Sequence, residues 1–276
     1  MSFSFLLSIA VLAGMVGALS GVGGGVILVP TLSLLGIDIK QAIAISNLST
    51  VAVSNGAAPG YLRRHMPNLK AVTFLEPFAV LGAVAGALMV LAAPRPILFL
   101  VFGLMLLFFG FALWRRIQTK VEPILEQDAY SRWIDVEGSY YDDAEGRTVS
   151  YRGHRALLAG FLMGGAGMTT GLLGIGGSAL AVLIHQEVLG FPPKVSLTTS
   201  NLIIGVMALA GANIYLEGGL INPKLVAPVI LGVLMGAFIG SRLLVHLQNR
   251  VVRGIFLVVL MVFGLEMLAH GLRGGP

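Results

Sequence analysis

Two glycine-rich runs interrupt long apolar stretches of this chain: "ALSGVGGGV" at residues 18–26 and "GLLGIGGSA" at residues 171–179. Clustered glycines let the backbone leave a helix, and N–H groups freed in apolar surroundings need protein, water or a ligand to satisfy them. The helix that restarts after each run points its partly positive N-terminus back at the break. Two such ends facing one another would bind an anion without a buried lysine or arginine. The residues that would build such a site are Gly23, Gly24 and Gly25 in one run and Gly174, Gly176 and Gly177 in the other, with Ser20 and Ser178 as hydroxyl donors. Tight helix packing is the competing use of the same glycines. Their duplication at matching positions favours the binding role.

A second pattern, Lys–x5–Ser–Asn–Leu, also occurs twice, at Lys40, Ser46, Asn47 and at Lys194, Ser200, Asn201. Serine and asparagine inside an apolar helix are costly unless bonded. They either tie helices together or donate hydrogen bonds to the oxygens of an anion, and the sequence leaves both uses open. The lysines stand at helix starts, where snorkelling to the interface is the ordinary role and drawing anions toward a site the alternative.

Isolated ionisable residues in or beside apolar segments are Glu76, His185, Glu187, Arg242 and Glu266. A charge within a bilayer is a functional suspect. His185 and Glu187 follow the second glycine run and are the best proton-relay candidates, although their place near a segment end favours an interfacial pair. None of the five recurs as an acid or base in both halves, which weakens a symmetric coupling role.

Two other chemistries use parts of the same pattern. Ser20 or Ser178 with His185 would make an intramembrane serine hydrolase, but seven residues between Ser178 and His185 amount to roughly 10 Å of helix rise, too far for local contact. A Na⁺ channel or transporter is the other alternative, since Asn and Ser oxygens coordinate cations; the lack of a duplicated intramembrane acid counts against it. With no cysteine in the chain, disulfides, thiolate metal sites and cysteine nucleophiles are excluded. No cofactor and no metal are expected, and the chain does not read as an enzyme.

The elements that must position these residues are themselves duplicated. Ser46 and Ser200 lie 154 positions apart, and so do Tyr61 and Tyr215, Asn68 and Asn222, Lys70 and Lys224, Gly82 and Gly236, Gly86 and Gly240, and Gly110 and Gly264. Each half holds one long glycine-interrupted apolar stretch, at 3–35 and 155–190, followed by three ordinary spans of about 20 residues. One crossing per long stretch gives four spans per half and parallel repeats. Two crossings give five, an odd number that inserts the second half upside down. The fold class expected is an all-α polytopic membrane protein of two homologous halves with four or five transmembrane segments each. The divisions are 1–116 for the first repeat, 117–153 for a linking insertion and 154–276 for the second repeat. Within the insertion, "SYYDDAEGRTVSYR" reads as two short strands about a turn. Gly82-x3-Gly86 and Gly236-x3-Gly240 are helix-contact signatures, expected within the bundle rather than at a homodimer seam.

Composition agrees. Of 276 residues 56% are apolar and 11% charged, and the mean hydropathy is +0.89. Lipid is therefore the solvent. The net charge of +5 does not mark a nucleic-acid binder, because the cations sit between apolar runs. Arg115, Arg116, Lys120, Arg152 and Arg155 flank the insertion and by the positive-inside rule place it in the cytoplasm. The first apolar stretch has no basic n-region and is expected to be retained.

At "GALSGVGGGVILVPTL" (17–32), "AIAISNLST" (42–50), "GLLGIGGSALAV" (171–182) and "TTSNL" (198–202) the sequence resembles the TauE/SafE family of sulfite and organosulfonate exporters. The resemblance spans nearly the whole chain apart from the insertion. It implies a duplicated transporter fold in the bacterial inner membrane and export of sulfite, sulfoacetate or a related sulfur oxyanion. The residues alone reach only a small anion. Pro30 faces Leu183 in the second copy, so the halves are not equivalent.

Overall fold

The computed structural model describes residues 3–20, 24–116, 127–142, 146–174, 177–243 and 249–273. The chain is helical nearly throughout. Helix α1 (Phe3–Ser20) leads to the short α2 (Gly25–Leu34), then α3 (Ile39–Leu62), α4 (Leu69–Ala92) and α5 (Arg95–Arg116). A small α6 (Ala129–Ile134) and an antiparallel hairpin of β1 (Glu137–Asp142) and β2 (Arg147–Arg152) follow. The second half repeats the order: α7 (Ala156–Leu173), α8 (Ser178–Leu183) running into a π-helical turn (Ile184–Val188), α9 (Pro193–Glu217), α10 (Pro223–Leu243) and α11 (Asn249–Leu272). This is an all-α polytopic membrane protein, and the expected strands are the hairpin. Helices α4, α7, α9 and α10 are each long and apolar enough to span a bilayer.

The duplicated asparagines have a local purpose. The Asn68 side chain accepts from the Ala71 N–H at 2.9 Å and that of Asn222 from the Lys224 N–H at 3.1 Å, capping α4 and α10. Asp38 caps α3 through the Lys40 N–H.

Glycine contacts fix the helix directions. Gly232, Gly236 and Gly240 of α10 pack in turn on residues 7–11, 11–15 and 15–18 of α1, so the two helices run parallel with backbones touching. Gly82 packs on Gly164 and Met168, and Gly86 on Met168 and Leu172, so α4 and α7 are parallel too. These are symmetry-related pairings, and in each the third span of one half is married to the first helix of the other. In contrast, Gly103 lies against Gly264 and Leu268 while Gly110 lies against Met261, which makes α5 and α11 antiparallel. Helices α3 and α9 are also antiparallel: Ser54 touches Asn201 and Gly205, while Asn47 faces Gly211.

These directions decide between parallel and inverted repeats. Gly56 and Gly60 of α3 meet Leu234–Ala237 and Ser241 of α10 in rising register, so α3 runs with α10 and hence with α1. A chain that runs the same way in α1 and α3 must return between them, and α2 makes that return. Helix α9 runs with α4, as Asn68 meets Thr199 at one end and Leu91 meets Gly218 at the other. Every helix of half two thus runs opposite to its counterpart in half one. The repeats are inverted, five segments each, with α2 and α8 as short returning pieces.

The two ends differ in charge. Arg63, Arg64 and Lys70 after α3, Arg132, Arg147, Arg152 and Arg155 around the hairpin, Lys194 at the start of α9 and Arg242 at the end of α10 occupy the hairpin end. Described cations at the opposite end are Lys40, Arg95, Lys224 and Arg273. Between the ends, exposed side chains such as Leu81, Leu88, Leu104, Phe161 and Met235 form an apolar belt.

Candidate functional site

Both long apolar stretches break at their glycines. In half two α7 ends at Gly174, whose φ of +65° requires glycine or strain, and α8 restarts after Gly177. In half one α2 restarts after Gly24 and includes Gly25. Gly177 stands against the backbone of Ala166, and Gly24 against the backbone of Ala13 at the corresponding place in α1. Each chain therefore folds back along its own first helix. Gly23 and Gly176, and the side chains of Ser20 and Ser178, lie outside the described residues.

The break of half two rests on α3 of half one. Gly174 packs on Ile43 and Ser46, and the Ser46 hydroxyl donates to the Gly174 carbonyl. One donor expected to face an anion is already used, because the Gly177 N–H donates to Oγ1 of Thr170. The sequence reading did not single out Thr170. Nor did it find roles for Tyr61 and Tyr215, whose hydroxyls donate to the carbonyls of Ala18 and Gly171 beside the two breaks. Their equal spacing in the two halves was the available signal.

The two Ser–Asn pairs lie on either side of the middle of antiparallel α3 and α9: Asn47 stands level with Gly211, and Asn201 with Ser54, seven residues or roughly 10 Å further along α3. Ser46, Asn47 and Ser200 are fully buried and Asn201 is 3% exposed. Asn47 Nδ2 donates to the Ile43 carbonyl at 3.2 Å, while its Oδ1 and the Oδ1 of Asn201 have no partner. Native interiors rarely leave such atoms orphaned, and these two stand at pseudo-symmetric positions.

His185 corrects the interfacial reading. It is fully buried in the π turn, with Nδ1 2.7 Å from Ser200 Oγ and 3.4 Å from the Ser196 carbonyl oxygen, and Nε2 unpartnered. Glu187 is exposed, so the two residues are not a pair at the surface. Among the described side chains the imidazole's serine partner is Ser200, and the side chains of the two serines of the hydrolase alternative lie outside them.

The duplicated lysines lie at opposite ends. Lys40 Nζ donates to the Leu91 carbonyl at 3.0 Å. Lys194 pairs with the buried Asp142 of the hairpin at 2.6 Å, which neutralises its pull on a passing anion. Among the other ionisable residues, Glu76 lies partly buried on α4, Glu266 exposed on α11, and Arg242 over the ring of Phe238 at 4.2 Å. None of these joins the central cluster. A groove of about 970 Å³ lies between the hairpin and the starts of α4 and α9. Its charges are mutually paired, Lys70 with Asp135 and Arg152 with Glu137, which makes it a docking seam for the hairpin. There Tyr151 donates no charge: burial holds its phenol above the usual range despite a hydrogen bond from Asn68.

Comparison with known proteins agrees with this architecture. A family model described as "Sulfite exporter TauE/SafE" matches residues 6–267. The chain is 26% identical to "Probable membrane transporter protein YunE" of Bacillus subtilis (strain 168), over 99% of each chain. It is 25% identical to "Probable membrane transporter protein ORF9" of a Sinorhizobium species, covering 98% of this chain and 95% of the relative. It is 23% identical to "Probable membrane transporter protein YfcA" of Escherichia coli (strain K12), covering 96% of this chain and 90% of the relative. No solved structure matches.

Proposed function

Because this chain belongs to the TauE/SafE family of membrane transporters, we propose that it is a secondary transporter exporting a small oxyanion, with sulfite or an organosulfonate such as sulfoacetate as the substrate. The observation that carries the reading is the central pair of buried Ser–Asn dyads on antiparallel helices, each amide with one end unpartnered. Each amide nitrogen carries two N–H groups, of which the Ile43 carbonyl takes one from Asn47, so both asparagines can offer N–H groups to an anion's oxygens. Neutral donors suit a transported ion, since a fixed buried cation would hold it too tightly to release. Inverted repeats related across the membrane supply two related half-gates, and rocking one helix pair against the other opens the centre to each side alternately.

Cation clustering at the hairpin end supports a reading in which that end lies in the cytoplasm and the protein in a bacterial inner membrane. The start of α1 and the end of α11 then face outward.

A sodium site is the second reading, favoured by one observation: the partnerless amide atoms are placed as oxygens, which are acceptors.

Purified protein in liposomes decides between these. The oxyanion reading expects saturable flux of sulfite or sulfoacetate, reduced about tenfold in Asn47→Ala and Asn201→Ala. Flux equal to that of empty liposomes, with no anion altering thermal stability, overturns it. Sodium-dependent stability without anion effects supports the alternative.

A further inference from the structure

The two halves differ by one residue at a telling place. Gly24 and Gly177 are 153 positions apart, whereas Gly36 and Gly190, which end the returning pieces with the same positive φ, are 154 apart. The extra residue of half two lies between them, and the structure there holds the π turn at Ile184–Val188, which is how a helix absorbs a one-residue insertion. Half one keeps an uninterrupted α2 over the same stretch. The turn carries His185 inward, onto Ser200.

We infer that His185 is the proton-binding residue of the central site, taking up one proton together with the anion; this rests on the oxyanion reading above. Buried ring nitrogens are usually bonded, and among the described residues His185 and His154 each leave one without a partner. In His185 Nδ1 is bonded and Nε2, buried, is not. The partner of Nδ1 suits a group that changes charge: a serine hydroxyl donates to a bare ring nitrogen and, by rotating, accepts from a protonated one. The Ser196 carbonyl gives the same N–H a second acceptor.

No fixed charge competes for this role. The π turn packs on α7, α8 and α9. Helix α7 holds no ionisable side chain and α8 holds none. On α9 Lys194 is engaged with Asp142, and Glu217 is a full helix length away. Within the turn Glu187 is exposed. Past it, Arg155 is exposed and His154 is buried with its ring Nδ1 unpartnered, while their backbone N–H groups donate to Asp128 and to the Leu189 carbonyl. A proton from water adds to Nε2, and the imidazolium and a monoanion then form a neutral pair, which lowers the cost of holding either inside the protein within the bilayer. Anion and proton affinities must rise together, each by the same factor.

The experiment titrates the purified wild-type protein with methanesulfonate, whose charge is constant between about pH 5 and about pH 8, the range where histidine titrates. Calorimetry in two buffers of different ionisation enthalpy counts protons. The expected result is a dissociation constant that weakens by up to about tenfold per pH unit, uptake approaching one proton per chain, and neither effect in His185→Gln. His154→Gln serves as control and keeps both. Binding of methanesulfonate with no pH dependence and no proton uptake overturns the coupling but leaves the anion site standing. Proton uptake unchanged in His185→Gln also overturns it. No binding at any pH overturns both readings together. If His185→Gln fails to fold, Ser200→Ala retains the ring and must shift the pH at which wild-type uptake is half complete; an unmoved midpoint counts against the assignment.

Discussion

Tyr61 donates its hydroxyl hydrogen to the carbonyl of Ala18 at 3.0 Å, in the last turn of α1 just before the chain breaks. Tyr215 makes the same bond to Gly171 before the second break. Each phenol thus satisfies a carbonyl near a helix end, where intrahelical partners run out. Tyr61→Phe and Tyr215→Phe should each cost about 1–3 kcal/mol, the penalty of an orphaned buried carbonyl. Denaturation of the purified variants measures it, and an unchanged midpoint for both would remove the tyrosines from the breaks.

The two glycines at the restarts should not tolerate a methyl group equally. A Cβ on Gly177 would collide with the Ala166 carbonyl, whereas one on Gly24 would meet Ala13 at 3.3 Å and needs only a small shift. Gly177→Ala should therefore lower the thermal midpoint and flux sharply, and Gly24→Ala mildly. Gly24→Leu and Gly177→Leu should both block flux in protein that still reaches the membrane. Vesicle transport alongside quantified membrane insertion tests the order.

Cross-half pairing of α1 with α10 and α4 with α7 predicts that neither half folds alone. Halves divided between α5 and α6 and co-expressed should co-purify, and each expressed singly should be degraded. Gly86→Ile, which drives a side chain into the Met168 backbone, should weaken the association by about 1–3 kcal/mol. Recovery of a stable single half would contradict the pairing.

The chain contains no cysteine, so single-cysteine labelling is available without background. Ser139→Cys on the hairpin should react with a membrane-impermeant maleimide only after cells are opened, and Lys224→Cys before α10 should react in intact cells. The reverse pattern would turn the protein over.

His154 is buried before α7, and burial holds its imidazole below the ordinary range, with the neighbouring Arg155 charge acting the same way against a raising backbone bond. The folded state prefers the neutral ring. Stability should therefore be fully present above the unfolded pKa of about 6.5 and decline as pH falls through it toward the lower folded value. Thermal midpoints of wild type and His154→Asn, compared across that window, should converge at acid pH.

Much of this was legible in the chain itself. Duplication, apolar spans, glycine breaks and the Ser–Asn pairs all follow from residue type and spacing, because lipid forces each span to satisfy its own backbone and tolerates irregular chain only at a site. The strands of the insertion and the capping asparagines of α4 and α10 are likewise local matters. The inversion of the repeats is different. It depends on whether the short piece after each glycine run crosses or returns, and hydropathy reads the same in both directions. Packing decided it, through the register of Gly56 and Gly60 of α3 on α10. His185 shows the same divide: its helix position suggested an interface, but one inserted residue rotates a turn, and only the folded chain brings that ring to Ser200, fifteen residues on.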